Sequence, residues 1–188
     1  SHQPEWVKPL AVDYRGQSLH EIPPNGQGIT ALIALGILRQ FDLAAHPVDS
    51  ADCLHLQIEA MKLAFADAKR YVADPEAGDI DFEALLDDGY LQRRAADIDM
   101  AAAQAPVFGT PEQGDTVYLT AADEEGRMIS FIQSNFGGFG SGVVVPDTGI
   151  SLQNRGAGFT LEPGHPNQVG GSKRPYHTII PAFVTRDG

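Results

Sequence analysis

What most restricts this chain of 188 residues is a change of apolar period near its middle. Up to about residue 100 the apolar residues recur at helical spacing, whereas from residue 116 they alternate as strand residues do. Between the two lies Ala101 to Asp115 (AAAQAPVFGTPEQGD), rich in Ala, Gly and Pro and following neither period. The chain reads as α+β in two regimes: residues 1–115, mainly helical and ending in a flexible linker, and residues 116–188, β-rich. The formal charge divides at the same place, with -11 on the first part and -1 on the second, of -12 in all. So acidic a chain repels nucleic-acid backbones and anionic membranes, and no apolar run reaches the ~18 residues that a membrane span needs. Cys53 is the single cysteine, so no internal disulfide can form, and the compartment, cytoplasmic or periplasmic, stays open.

In the first regime, Trp6 to Ile22 reads as extended chain with a turn at Arg15-Gly16, and Pro23-Pro24-Asn25-Gly26 stops any regular element. Gln27 to Leu38 (QGITALIALGIL) carries no charge and predicts a helix buried nearly all round. A longer helix follows. Asp49 or Ser50 can cap it, Pro75 closes it, and Leu54, Ile58, Met61, Phe65, Ala68 and Val72 build one apolar stripe. Asp81 to Ile98 suggests two short helices, the second capped by Asp88. In the second regime, Thr116 to Ala122 and Arg127 to Ser134 flank the hairpin loop Asp123 to Gly126. Further strands are expected at Gly149 to Asn154 and Thr178 to Thr185. Asp187-Gly188 then signals a turn toward a partner strand, which suggests a segment of a larger protein.

Several enzyme signatures are absent: G-x-S-x-G, H-E-x-x-H, C-x-x-C and the Walker sequence. Gly137-Gly138-Phe139-Gly140-Ser141-Gly142 leads into Val143-Val144-Val145-Pro146 rather than a helix, so a tight connection between strands is favoured over a dinucleotide cradle. His55 and Glu59, at i and i+4, have the spacing of a metal pair but no third ligand nearby in sequence. Thr116 is the more informative residue. It opens a strand directly after the linker, and folding the hairpin puts it opposite Gln133 or Ser134, depending on a one-residue choice of register. Taken alone, a threonine there is an ordinary strand residue.

Several blocks, in order, resemble the γ-glutamyltransferase (γ-glutamyltranspeptidase) family, including its acylase-like branch. They are Pro9 to Gly16 (PLAVDYRG), Ile22 to Gly28 (IPPNGQG), His55 to Pro75 (HLQIEAMKLAFADAKRYVADP), Thr116 to Gly126 (TVYLTAADEEG), Phe139 to Val143 (FGSGV), Gly149 to Asn154 (GISLQN) and Lys173-Arg174-Pro175. The resemblance implies an N-terminal nucleophile hydrolase fold, an αββα sandwich of antiparallel sheets, of which this chain is a part spanning the junction of the large and small subunits. It further implies self-cleavage at Asp115-Thr116, with Thr116 as nucleophile and its freed α-amine as base, and no cofactor or metal. Ser134 matches a family hydroxyl residue that contacts the nucleophile, which favours the even register. The implied substrate is a γ-glutamyl amide such as glutathione, whose acyl group passes to water or an amine. The implied partners are the remainder of the protein's own large and small subunits.

The substrate-binding positions depart from the family pattern. Asn154 is followed by Arg155, and Arg155 and Gly158 stand where better-known members have Gln and Asp; His177-Thr178 replaces Ser-Ser and Phe136 replaces Asn. Losing the acid removes the partner of a cationic α-amine, and Arg155 adds a charge suited to a carboxylate. That fits a glutaryl or cephalosporin-type acylase as an alternative. Each position also has a structural reading: Arg155 as a surface arginine, His177 as a packed strand residue, Phe136 as core. Pro163 to Ser172 looks too short for the lid loop of some members. By resemblance, the oxyanion-hole glycines fall beyond Gly188 and a carboxylate-binding arginine before Ser1, so the chain alone is expected to be inert. A degenerate, non-catalytic binding module is the competing reading.

Overall fold

The computed structural model describes residues 4–78, 80–104 and 116–186. The extended N-terminal stretch folds as a hairpin, β1 (Leu10–Tyr14) against β2 (Gln17–Glu21), with Arg15 and Gly16 both at positive φ in the two-residue turn. The short strand β5 (Phe183–Thr185) adds to the free edge of β2, so this antiparallel sheet, ordered β1-β2-β5, draws on both regimes.

Helix α1 (Ile29–Leu38) is buried as its uncharged sequence requires, with Ile29, Leu32, Ile33 and Ile37 fully enclosed. It packs against β1, α2 (Ala51–Tyr71) and α3 (Asp88–Ala96). Ser50 caps α2 by accepting from the Cys53 amide, and the helix stops at Tyr71, ahead of Pro75. Its buried face differs from the expected stripe. Cys53, Leu56, Ala60, Leu63, Ala64 and Ala68 face the core, whereas Leu54, Ile58, Met61 and Phe65 are between 37% and 56% exposed. The row Ala60, Ala64, Ala68 lets the backbones of α1 and α2 approach, and size complementarity decides which of two apolar faces turns inward. A single 3₁₀ turn (Glu83–Leu86) precedes α3, whose cap is Asp87, accepting from the Tyr90 amide, rather than Asp88, which pairs with Arg39.

In the second regime, β3 (Thr116–Ala122) and β4 (Met128–Ser134) pair antiparallel in the even register, Thr116 opposite Ser134. Of the two later strands expected, Thr178 to Thr185 is reduced to β5, and Gly149 to Asn154 forms no strand. Residues 141–152 form a narrow ribbon with one bridge, Val144 to Ser151, and backbone hydrogen bonds from Ser141 to Leu152, Leu152 to Val143 and Val145 to Ile150. The stretch before Phe183 includes Pro181, which has no N–H to offer a ladder. The glycine-rich run is a tight connection into that ribbon: Gly140 sits at φ +69, and a Cβ there would lie 2.4 Å from the Leu152 carbonyl.

Buried polar contacts fasten the late loops to the end of α2. Asp74, 4% exposed, accepts from the Arg174 amide at 2.8 Å and pairs with its guanidinium at 3.0 Å, while Asn167 Nδ2 donates to the Val72 carbonyl at 2.6 Å. Burial pushes the Asp74 carboxyl up, but the Arg174 hydrogen bonds outweigh it and hold the pKa below its ordinary value. Replacing Asp74 by Asn is expected to lower unfolding stability by about 1.5–3 kcal/mol, the worth of a charge-assisted hydrogen bond, measured by denaturant titration at pH 7. The deficit should shrink as pH falls below the ordinary aspartate range, because the wild-type contribution is lost as Asp74 protonates.

Glu21 is the opposite case. Its carboxyl is buried, Oε2 has no hydrogen-bond partner among the described residues, and burial pushes its pKa up to about 7 from 4.5. The fold favours the protonated form, so its contribution is complete below about pH 4.5 and is lost as pH rises to about 7. Glu21→Gln should therefore gain thermal stability over the wild type between pH 5 and pH 8. A pH-independent difference would contradict this assignment.

Candidate active site

Asp115 lies outside the described residues, and Thr116 is described by its backbone, which opens β3 directly across from Ser134. Ser134 Oγ accepts the Phe136 amide at 2.9 Å, turning the chain sharply at the end of β4. Phe136 takes a left-handed backbone, φ 81, uncommon for an aromatic residue, and is half-buried rather than core. That turn lays its ring under the Arg155 guanidinium, 5.4 Å from the ring centre.

Arg155 is not a surface residue: it is 2% exposed. Its Nη1 donates to Thr178 Oγ1 at 2.7 Å, while Nε and Nη2 have no acceptor among the described residues. Burial lowers its pKa, yet a guanidinium remains charged at any physiological pH. The result is a buried cation with two unused donors, a demand that a carboxylate in bidentate geometry would meet. The adjoining His177 cannot meet it. Burial, together with the Arg155 charge, pushes its pKa down to about 4, so the imidazole is neutral at neutral pH.

Asn154 is otherwise engaged. Its Oδ1 accepts the Gly137 amide at 3.0 Å and its Nδ2 reaches the Gly137 carbonyl at 3.4 Å, fastening the glycine-rich connection to the turn that carries Arg155. Gly158, where a Q-x-x-D pattern would place an acid, has no room for one: a Cβ there would lie 2.7 Å from the Tyr176 carbonyl oxygen.

Thr178 and His177 are positioned by Asn25, in the stretch that stops the preceding hairpin, and by Gln27, just before α1. His177 donates its amide to the Asn25 carbonyl at 3.0 Å and accepts the Gln27 amide at 2.8 Å, a parallel bridge centred on Gly26. The Gln27 side chain donates to the Thr178 carbonyl at 3.0 Å and accepts from the Tyr176 hydroxyl at 2.6 Å; Asn25 Nδ2 donates to the Pro175 carbonyl at 2.7 Å. The signal was the uncharged amide-bearing run PPNGQG, whose Asn and Gln side chains suit the pairing of exposed backbone. The sequence pair His55 and Glu59 is otherwise occupied, His55 with the Asp99 carbonyl and Glu59 with Lys62 and Gln104.

The family described as Gamma-glutamyltranspeptidase matches residues 1–188. The chain is 40% identical over 188 residues to the glutathione hydrolase-like YwrD proenzyme of Bacillus subtilis (strain 168), covering 100% of this chain and 35% of that protein. It is 40% identical over 182 residues to the oxamate amidohydrolase proenzyme of Klebsiella pneumoniae, covering 97% of this chain and 34% of that protein. The crystal structure of cephalosporin acylase from Bacillus halodurans matches with a TM-score of 0.89 and 51% identity, over 99% of this chain and 33% of that one. The chain thus spans about a third of the length of these relatives. Its helices and antiparallel sheets are part of an N-terminal nucleophile hydrolase fold, and the chain belongs to the gamma-glutamyltranspeptidase family.

Proposed function

We propose that the protein carrying this chain is a self-processing amide hydrolase whose nucleophile is Thr116 and whose acyl donor bears a carboxylate held by Arg155 and Thr178. The observation that carries this reading is the buried Arg155 guanidinium, with two donors unpartnered among the described residues, beside a Gly158 too tightly packed to hold an acid. A glutathione-type donor presents an α-ammonium as well as a carboxylate, and an acid at position 158 would have been its natural partner. Its absence favours donors whose polar end is a carboxylate alone, such as glutaryl or other dicarboxylic monoamides, over γ-glutamyl amides. The names hydrolase, amidohydrolase and acylase borne by the relatives support amide hydrolysis in general.

The chemistry follows from a hydroxyl on the residue after the scissile bond. Thr116 Oγ adds to the Asp115 carbonyl carbon; the C–N bond breaks, the nitrogen takes the proton, and an ester results. Water then cleaves the ester to give the Asp115 carboxylate and a free Thr116 with both hydroxyl and α-amine. An α-amine of pKa about 7.7–8.0 accepts the hydroxyl proton near neutrality, so no histidine is required. The hydroxyl attacks the donor amide, the proton passes to the leaving amine, and water releases the acid from the acyl-enzyme. Ser134, opposite in the ladder, is assigned to the nucleophile's immediate surroundings.

Two outcomes are expected in the full-length protein. Intact mass should show two pieces meeting at Asp115-Thr116, and one unbroken chain for Thr116→Ala; an unbroken wild type would instead favour a non-catalytic module. Arg155→Met should lower kcat/KM for a glutaryl anilide by roughly 10- to 100-fold, the worth of a charge-assisted hydrogen bond, while an uncharged butyryl anilide changes little. Equal losses on both anilides would remove Arg155 from carboxylate recognition.

A further inference from the structure

The N–H groups of a guanidinium point in fixed directions, and Arg155 has committed one nitrogen, Nη1, to Thr178 Oγ1 at 2.7 Å. Nε and Nη2, which have no acceptor among the described residues, carry the parallel N–H pair of one side of the plane, the pair that a carboxylate meets with both oxygens. Which side stays open therefore depends on where the Thr178 hydroxyl stands. Thr178 lies outside the ladder of β5, which begins at Phe183, so the sheet does not fix it.

Gln27 does. It donates its backbone N–H to the His177 carbonyl at 2.8 Å and its side-chain Nε2 to the Thr178 carbonyl at 3.0 Å, and its Oε1 accepts the Tyr176 hydroxyl at 2.6 Å. One residue thus holds three consecutive ones. The amide has a single productive orientation, because a carbonyl can only accept: the nitrogen must face Thr178, which leaves the oxygen to the hydroxyl. Gln27 is itself tied down, its carbonyl accepting the Thr30 amide at 2.8 Å at the start of the buried helix α1. The bridge between Gly26 and His177 already pairs the backbone of the two strips, so the side-chain amide is not needed to close them. What it adds is the placement of Tyr176 and Thr178.

We propose that Gln27 is a positioning residue for carboxylate recognition: acting through Thr178, it sets which side of Arg155 is left open to the acyl donor, and so sharpens the preference for carboxylate-bearing donors. This inference rests on the carboxylate reading of the preceding section. Under the cleavage proposed there, Gln27 and Thr178 end in different pieces, so the specificity of one piece is set from the other.

The test compares kcat and KM of the full-length protein on glutaryl and butyryl anilides. Gln27→Met keeps the length of the side chain and removes both amide contacts, Tyr176→Phe removes one of them, and Thr178→Val removes the hydroxyl through which Gln27 acts. In Gln27→Met, KM for the glutaryl anilide should rise roughly 3- to 10-fold, the worth of one neutral hydrogen bond, with kcat and the butyryl anilide little changed. Tyr176→Phe should shift the same KM in the same direction by less. Because the effect passes through Thr178, Gln27→Met should add almost nothing to Thr178→Val. Equal losses on both anilides, an unchanged KM for the glutaryl anilide, or full additivity with Thr178→Val would each overturn the role. If Gln27→Met yields no folded protein, Tyr176→Phe carries the same test, alone and combined with Thr178→Val. A glutaryl preference lost in Arg155→Met but kept in Gln27→Met overturns the positioning role alone. A preference kept in Arg155→Met overturns the carboxylate reading with it, as does a protein that turns over neither anilide.

Discussion

The structure hangs on one seam, the parallel contact between Asn25-Gly26-Gln27 and Pro175 to Thr178. Backbone groups buried between the two regimes must be paired, and here they are paired across about 150 residues by two amide side chains and the main chain itself. The seam sets the height at which Thr178 meets Arg155, and the Asp74–Arg174 pair just before it ties the same strip to the end of α2. Without it, the arginine would have neither its hydroxyl partner nor a wall.

The buried charges sort into two kinds. Asp67 with Arg94, Asp74 with Arg174 and Glu59 with Lys62 are all paired within 3.0 Å, so each desolvation cost is offset locally. Glu21 Oε2 and two nitrogens of Arg155 are left without partners among the described residues. A carboxyl can respond by keeping its proton, and burial does push Glu21 up to about 7. A guanidinium cannot discharge, and it retains its demand for an anion. This asymmetry is why Arg155, rather than Glu21, is read as a recognition element, and why the neutral His177 beside it is read as part of the wall.

Much of this was legible in the residues. The uncharged run of α1 could only be buried, and the alternation of β3 and β4 left just two registers, of which the even one is observed. The inward face of α2 was not legible, because a helix with large residues on one flank and alanines on another has two apolar faces, and the choice depends on how closely α1 can approach. The sequence left Arg155 between a carboxylate-binding residue and a surface arginine, because its burial depends on a left-handed Phe136 and on Thr178, 23 positions away. The contact of Glu59 and Lys62 with Gln104 joins residues 45 and 42 positions apart, with no local pattern to announce it.

The proposed nucleophile, Thr116 freed at its amine, becomes acylated by a carboxylate-bearing amide. The direct measurement is peptide mapping by mass spectrometry of the full-length protein quenched in acid during turnover of a glutaryl anilide. The expected product is a glutaryl ester on the N-terminal threonine of the smaller piece, reduced in Arg155→Met. An acyl group on any other residue, or none at all under single-turnover conditions with product released, would contradict it.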